Sequence, residues 1–479
     1  MKNDTVSTHP VRSGRTAFLP ALVLALTACA VGPTYQGPPP VETPVAFRQG
    51  QGEWIRVVPA DTLERGPWWQ LFGDPVLNDL AASVEVSNQN VAAAVAAYAQ
   101  ARALVAEQRA SLFPSVVLDG GGSRTGGEGS ATGTRRSYDV TLGAGWEPDV
   151  WGRLRRGVAG ARAGEQASAA DLAAARLSAQ GELAVNYLNL RGTDAQRALL
   201  VQTLQGYQRA LTITNNRYQA GIAARTDVLQ AETQLANAQA ELLGLDRQRA
   251  QLENAIAVLV GRAPGNFSLP PALASAAVPQ VPDVPLALPS TLLLRRPDVV
   301  SAERRVAAAN ENIGIAQSAW FPSLQLSGSA GAGAAAIGDL FSAGSLVWAL
   351  GVSLAQSVFD GGAINARIAR SRAAFDQAAA QYRQTVLVAF QDVEDQLAAA
   401  RILGEQLALR QQAARAADLV EQQVLNRYQA GQVGFTEVIT AQATAQAARR
   451  NLVQLQADRQ VAAVALIQAL GGGWQGLPR

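Results

Sequence analysis

The side chains that most protein chemistry depends on are almost missing from this chain. Its only histidine (His9), only cysteine (Cys29) and only methionine (Met1) all fall within the first 29 residues. Downstream there is no imidazole and no thiol, which excludes histidine-dependent catalysis, cysteine nucleophiles and ordinary zinc or copper sites. Carboxylates remain, but no constellation asks for carboxylate chemistry, so the chain does not read as an enzyme and no cofactor or metal is expected. What recurs at fixed spacing is a cationic, phenolic and acidic set. Arg217-Tyr218 with Asp227 returns as Arg427-Tyr428 with Glu437, at an offset of 210 residues. Such groups form ion pairs and hydrogen bonds between facing surfaces.

Those residues sit in a duplicated element, Asn216-Arg217-Tyr218-Gln219-Ala220-Gly221 and Asn426-Arg427-Tyr428-Gln429-Ala430-Gly431. Upstream, Phe113-Pro114-Ser115 is answered by Phe321-Pro322-Ser323, and downstream Thr226-Asp227-Val228 by Thr436-Glu437-Val438. The period is far longer than that of solenoid repeats. Two copies of one unit of about 200 residues are therefore expected, at 67–263 and 291–479, with a proline-rich linker at 264–290 between them.

No proline occurs between Pro148 and Pro264 or between Pro322 and Pro478, and both stretches are rich in helix formers. Long helices are expected over 153–218 and 362–428, each ~100 Å at ~1.5 Å per residue. Rods of that length persist by pairing along an apolar seam, and Leu252, Ile256 and Leu259 supply one. Gly221 and Gly431 are placed to end the long helices; Thr226 and Thr436 are placed as N-caps of shorter ones, 226–260 and 436–470. Further short helices are expected over 86–110 and 301–318, ahead of strand pairs at 114–147 and 322–357.

The strands show a period of two. Tyr138, Val140, Leu142 and Trp146 alternate with small or polar residues, as do Leu346, Trp348, Leu350 and Val352. Runs of ~10 residues with aromatic ends fit tilted transmembrane strands whose apolar face meets outer-membrane lipid. Four strands cannot close a barrel, and an open edge in lipid leaves backbone groups unpaired at several kcal/mol each. Oligomerisation follows: three copies give a twelve-stranded β-barrel above a ring of helical rods.

The N-terminus reads as an export signal over residues 1–28. Lys2, Arg12 and Arg15 precede an apolar run from Ala17 to Leu26, too short to span a bilayer. Its end, Leu26-Thr27-Ala28-Cys29, resembles the bacterial lipoprotein signal, which implies lipidation of Cys29 and, with Ala30 following, sorting to the outer membrane. Residues 29–66 then form a lipidated, proline-rich leader. A formal charge of +2 with no basic tract argues against a nucleic-acid partner. Charged residues make up 16%, below the ~25% of ordinary soluble domains.

In order and spacing, these elements resemble the outer membrane factor family, the TolC-like exit ducts of tripartite efflux pumps, and most closely its lipidated, NodT-like branch. The carriers are Trp68-Trp69 with Phe72-Gly73-Asp74-Pro75-Val76-Leu77, Arg295-Arg296-Pro297-Asp298 with Ala302-Glu303, both Phe-Pro-Ser elements, both Arg-Tyr-Gln-Ala-Gly turns and Leu470-Gly471-Gly472-Gly473-Trp474. The resemblance implies an α+β membrane protein with four transmembrane strands and long antiparallel coiled-coil helices per protomer. It also implies a homotrimer with a periplasmic α-helical barrel, and passive conduction of drugs or other toxic compounds. The implied partners are a periplasmic adaptor and an inner-membrane pump of the RND type.

The resemblance places Arg217, Tyr218, Gly221, Thr226 and Asp227 at one periplasmic tip and Arg427, Tyr428, Gly431, Thr436 and Glu437 at the other, where gate and adaptor contact lie. Thr440 and Ala443 occupy the face on which some members carry acidic gating rings. It also places the linker at the tunnel waist. Competing readings are a type I protein-secretion duct and a non-conducting lipid-anchored coiled-coil scaffold; the scaffold leaves the strand pairs unexplained.

Overall fold

The computed structural model describes residues 30–49, 67–126, 134–271, 281–282, 296–342, 344–472 and 474. The signal segment, Cys29, leader residues 50–66, Arg295, most of the linker and Gly473 lie outside them. Chain order gives helices α1 (Pro75–Ser87) and α2 (Gln89–Ala110), strands β1 (Ser115–Thr125) and β2 (Arg135–Trp146), and helices α3 (Arg153–Gln219) and α4 (Arg225–Leu259). The second copy supplies α5 (Pro297–Ser318), β3 (Ser323–Ala334), β4 (Leu346–Ala355), α6 (Ala363–Gln429) and α7 (Phe435–Ala469). Both long helices have 67 residues and both hairpin partners have 35. The family-like duplication is thus carried through in element length.

One helix expectation changes. Instead of a single helix over 86–110, α1 and α2 meet at Asn88, which leaves helical geometry with ψ 125°. Its Oδ1 accepts from the amides of Asn90 and Val91 and its Nδ2 donates to the Leu259 carbonyl at 2.8 Å. A short polar side chain that caps one helix and satisfies the end of another favours the break over continuation.

The chain forms two compact units. Of the described residues, the first takes in those within 30–39, 100–166 and 303–381 and holds the sheet. Four antiparallel strands run in the order β1-β2-β3-β4, so β1 and β4 each have one unpaired edge among the described residues. Register decides which residues share a face. Leu118 pairs with Leu142, Leu142 with Ala330 and Ala330 with Trp348; Trp146 pairs with Leu326 and Leu326 with Val352. The apolar positions of all four strands therefore line up on one face, while Thr141, Gly331, Ser329 and Ser353 fall on the other. The apolar face is not covered within the protomer: Leu350 is 80% and Trp348 71% exposed. Pro114 and Pro322 each precede a strand, where a missing N–H breaks no ladder bond. Trp151 stacks on Phe321 at 4.7 Å and donates from Nε1 to the Pro322 carbonyl at 2.7 Å.

Carboxylates cap both strand-to-helix junctions of this unit. Asp149 accepts from the amides of Leu154 and Arg155; Asp360, 211 residues on, accepts from those of Gly362 and Ile364. The backbone donors of Ile364 and then Gly362 hold the Asp360 carboxyl below its usual value.

The second unit comprises residues 40–99, 167–302 and 382–479. Its main core joins Trp68, Leu77, Leu183, Tyr187, Ile256 and Ile467, from both copies. Each such buried side chain contributes ~1.5–3 kcal/mol by removal from water. The Phe-Gly-Asp-Pro element is the start of α1: Gly73 takes φ +64°, Pro75 occupies the first helical position, and Asp74 Oδ1 accepts from the amides of Val76 and Leu77. Asp74 Oδ2 accepts from the Tyr187 hydroxyl at 2.6 Å. Burial, followed by that bond, holds the Tyr187 hydroxyl protonated well above the usual tyrosine range.

A chain of ion pairs continues from there, Arg191–Asp194–Arg249–Glu253, all largely buried. Arg249 and Glu253 bond the backbone of Leu269, and Leu269 is buried in the core, so the linker's first residues pack rather than float. Further along α3 and α4, Leu200, Leu204 and Tyr207 meet Leu235, Ala238, Leu242 and Leu245 at helical spacing, forming the paired seam that a long helix needs.

Candidate functional site

The duplicated hexapeptides close α3 and α6 in the same way. Gly221 and Gly431 adopt φ +75° and +74°, a left-handed conformation that costs glycine nothing. The Gly221 amide donates to the Tyr218 carbonyl at 2.9 Å and that of Ile222 to Arg217 at 2.8 Å; Gly431 and Gln432 repeat the pattern onto Tyr428 and Arg427 at 2.9 Å each. This is the paired closure that satisfies the last carbonyls of a helix.

The N-cap assignment is corrected. Ala224 and Gly434 hold the cap positions of α4 and α7, in extended conformation and with no side-chain cap bond. Thr226 and Thr436 are second in their helices, and Asp227 and Glu437 third. The turn leaves the glycine so sharply that the helix restarts one residue before the threonine. Asp227 and Glu437 consequently lie in the first turn, where the helix dipole favours negative charge. Thr440, on α7, donates to the Thr436 carbonyl at 2.9 Å.

Identical sequence does not give identical surroundings. Tyr428 is buried, 3% exposed; its hydroxyl lies 3.2 Å from that of Thr214 and its ring 5.4 Å from that of Phe435. Arg217, from the other copy, sits 4.8 Å above the Tyr428 ring and donates from Nη1 to the Tyr428 carbonyl at 3.0 Å. Tyr218, the counterpart, is 38% exposed, with Arg225 over its ring at 5.8 Å. One turn is thus locked into a small core with Ala210, Ala231 and Val438, and the other presents its aromatic ring outward. The cause is legible only where the copies differ: Phe435 occupies the position that Arg225 holds 210 residues earlier. Phe435, Arg225 and Thr214 are the contributors that the repeat alone does not single out.

The remaining charges have no ion-pair partner among the described residues. Among the described residues, neither Arg427 nor Glu437 nor Asp227 takes part in an ion pair, and Arg427 and Glu437 are exposed. Among the described residues no group of three His, Cys, Asp or Glu is placed to hold a metal ion, and no helix is long and apolar enough to cross a membrane. What the site offers is a set of unpaired opposite charges on tightly closed helix turns.

A sheet with one apolar, uncovered face and two free edges, continued by 67-residue helices that end in charged turns, defines the class of outer-membrane channel proteins. Comparison with known proteins agrees. The outer membrane efflux protein family matches residues 80–262 and 288–472, one match per copy. The antibiotic efflux pump outer membrane protein ArpC of Pseudomonas putida is 32% identical over 468 residues, covering 95% of each chain. The cation efflux system protein CusC of Escherichia coli is 28% identical over 454 residues, covering 95% of this chain and 98% of its own. The solved outer-membrane channel OprN superposes with a TM-score of 0.86 at 29% identity, covering 93% of this chain and all of that one. This chain belongs to the outer membrane efflux protein family. It has the family's fold, four strands and paired long helices in two tandem copies, and it is an outer-membrane exit duct for efflux.

Proposed function

We propose that three copies assemble into the exit duct of a tripartite pump, passing drugs or other toxic small molecules from an RND-type inner-membrane pump and a periplasmic adaptor to the exterior. The observation that carries this reading is the sheet. Its register gathers Tyr138, Val140, Leu142, Trp146, Leu346, Trp348, Leu350 and Val352 on one face, suited to lipid, and its two unpaired edges call for the same sheet in neighbouring copies. Relatives named for antibiotic, toluene and cation efflux support a duct whose selectivity lies upstream. With no His or Met after residue 9 and no Cys after residue 29, the walls offer no soft or imidazole ligands for a metal cargo.

In this reading Cys29 carries the lipid anchor and the two turns form the periplasmic end. Gly221 and Gly431 shape the turns, and Arg217 locks Tyr428 within the protomer. Arg427, Glu437 and Asp227, which form no ion pair among the described residues, bridge neighbouring tips at rest and open when the adaptor docks.

The test is a deletion strain challenged with antibiotics, dyes, solvents and metals, complemented by a chain carrying Gln432→Cys beside Gly431 for crosslinking. Hypersensitivity to small molecules, with one periplasmic protein captured from position 432, is the expected result. Unchanged sensitivity with loss of a secreted protein would assign the duct to protein secretion instead.

A further inference from the structure

Residues 30–35 are held in a built seat of the first unit. The Val31 amide donates to the Trp151 carbonyl at 3.1 Å, and Arg156 returns the contact from Nε to the Val31 carbonyl at 2.7 Å. Arg156 Nη1 and Asn310 Nδ2 both donate to the Pro33 carbonyl at 3.1 Å, and the Tyr35 hydroxyl donates to Glu303 at 2.5 Å. Arg156 is itself 8% exposed and paired with Glu311 at 2.8 Å. Two glycines make the fit close. Gly32 has φ +109°, a Cβ there would lie 2.5 Å from the Gly314 Cα, and a Cβ on Gly314 would run into the Arg156 side chain. Five hydrogen bonds and a glycine-on-glycine contact are more than a loose leader needs.

The seat fixes Val31 in the wall of a groove of about 410 Å³ that Trp320, Phe321, Ile368 and Ala369 also line, together with the polar side chains of Gln317, Asn365 and Arg372. That volume lies within the ~300–1,000 Å³ range of ligand sites. The lining is mainly apolar, yet Trp320 is 50% exposed. In the sequence Cys29 precedes Val31 by two residues.

We propose that this groove holds an acyl chain of the lipid on Cys29 of the same copy, with the polar side chains of the lining, Arg372 among them, taking its glyceryl-ester end. The proposal rests on the lipidation of Cys29 in the reading above. Arg156 then acts as a positioning residue: it sets where the anchor leaves the fold, so the lipid packs against the protein rather than dangling from a free leader.

The experiment uses the full exported chain with a diazirine-bearing amino acid in place of Ile368. After irradiation in isolated membranes, intact-mass and peptide mass spectrometry read two things: whether the N-terminus is acylated, and what position 368 has captured. The expected product is an intramolecular crosslink between position 368 and the acylated N-terminal peptide. Its yield should fall severalfold in Arg156→Ala and be largely restored in Arg156→Lys. An acylated N-terminus with crosslinks only to free phospholipid or to another copy overturns the groove assignment while leaving lipidation standing. An unacylated N-terminus overturns both.

Discussion

The two turns share a hexapeptide but not a fate, and Arg217→Ala separates them quantitatively. Removing Arg217 takes away a charged donor to the Tyr428 carbonyl, ~1.5–3 kcal/mol, and a cation over the Tyr428 ring, ~0.5–1 kcal/mol. Against that, Arg217 Nε is buried without a partner, a cost of ~1–3 kcal/mol that the truncation relieves. The net local loss is about 1 kcal/mol, equivalent to a roughly fivefold rise in the open population of the second turn. Hydrogen exchange reads it directly, because the Gly431 and Gln432 amides are bonded into the turn onto Tyr428 and Arg427. Protection at those two amides should fall by that factor in Arg217→Ala. It should change by less than about twofold in Arg427→Ala, whose exposed side chain forms no ion pair among the described residues and whose surface substitution is worth under ~0.5 kcal/mol. Equal loss in the two variants, or none in Arg217→Ala, would refute the claim that Arg217 is the intramolecular lock.

Asp74→Ala removes both the cap of α1 and the acceptor of the Tyr187 hydroxyl, about 2–4 kcal/mol together, and should lower the thermal midpoint clearly more than Asp79→Ala on the same helix. Asp360 has its carboxyl pKa depressed in the folded state, so its contribution is complete above the unfolded carboxylate value near 3.9 and is lost as pH falls through the folded one. Protection of the amides at the start of α6, relative to their intrinsic exchange rates, should therefore fall in acid below about pH 4, and Asp360→Asn should flatten that response. On the sheet, Leu350→Arg puts a cation on the apolar face and should cost about 2–4 kcal/mol of membrane stability, read as lost heat-resistant oligomer. Ser329→Arg, on the opposite face, should leave the oligomer intact and shift ion selectivity toward anions.

The sequence carried the backbone plan because that plan rests on local signals. Proline-free stretches, glycines at fixed offsets and a period of two locate the long helices, the turns and the strands, and the register of β1 to β4 then brings the alternating positions onto common faces. Contacts between distant residues were beyond reach. Nothing in two identical Arg-Tyr pairs says which tyrosine is buried; Phe435 opposite Arg225 decides it, through packing that only the folded hairpins create. The same holds for Asn88, whose role depends on the Leu259 carbonyl 171 residues away, and for Asp74, which meets Tyr187 across 113. The helix after each turn starts earlier than a threonine cap would put it: threonine is a good cap in general, but here the glycine closure sets where the next helix begins.

A gated duct makes one electrical demand. Purified full-length protein in planar bilayers should give a small, mostly closed conductance, and Arg427→Ala and Glu437→Ala, which remove the charges left unpaired at the second turn, should each raise the open-channel conductance severalfold while leaving the oligomer intact. Intact oligomers of the wild type and of both variants that are equally silent, or equally and fully conducting, would contradict the account.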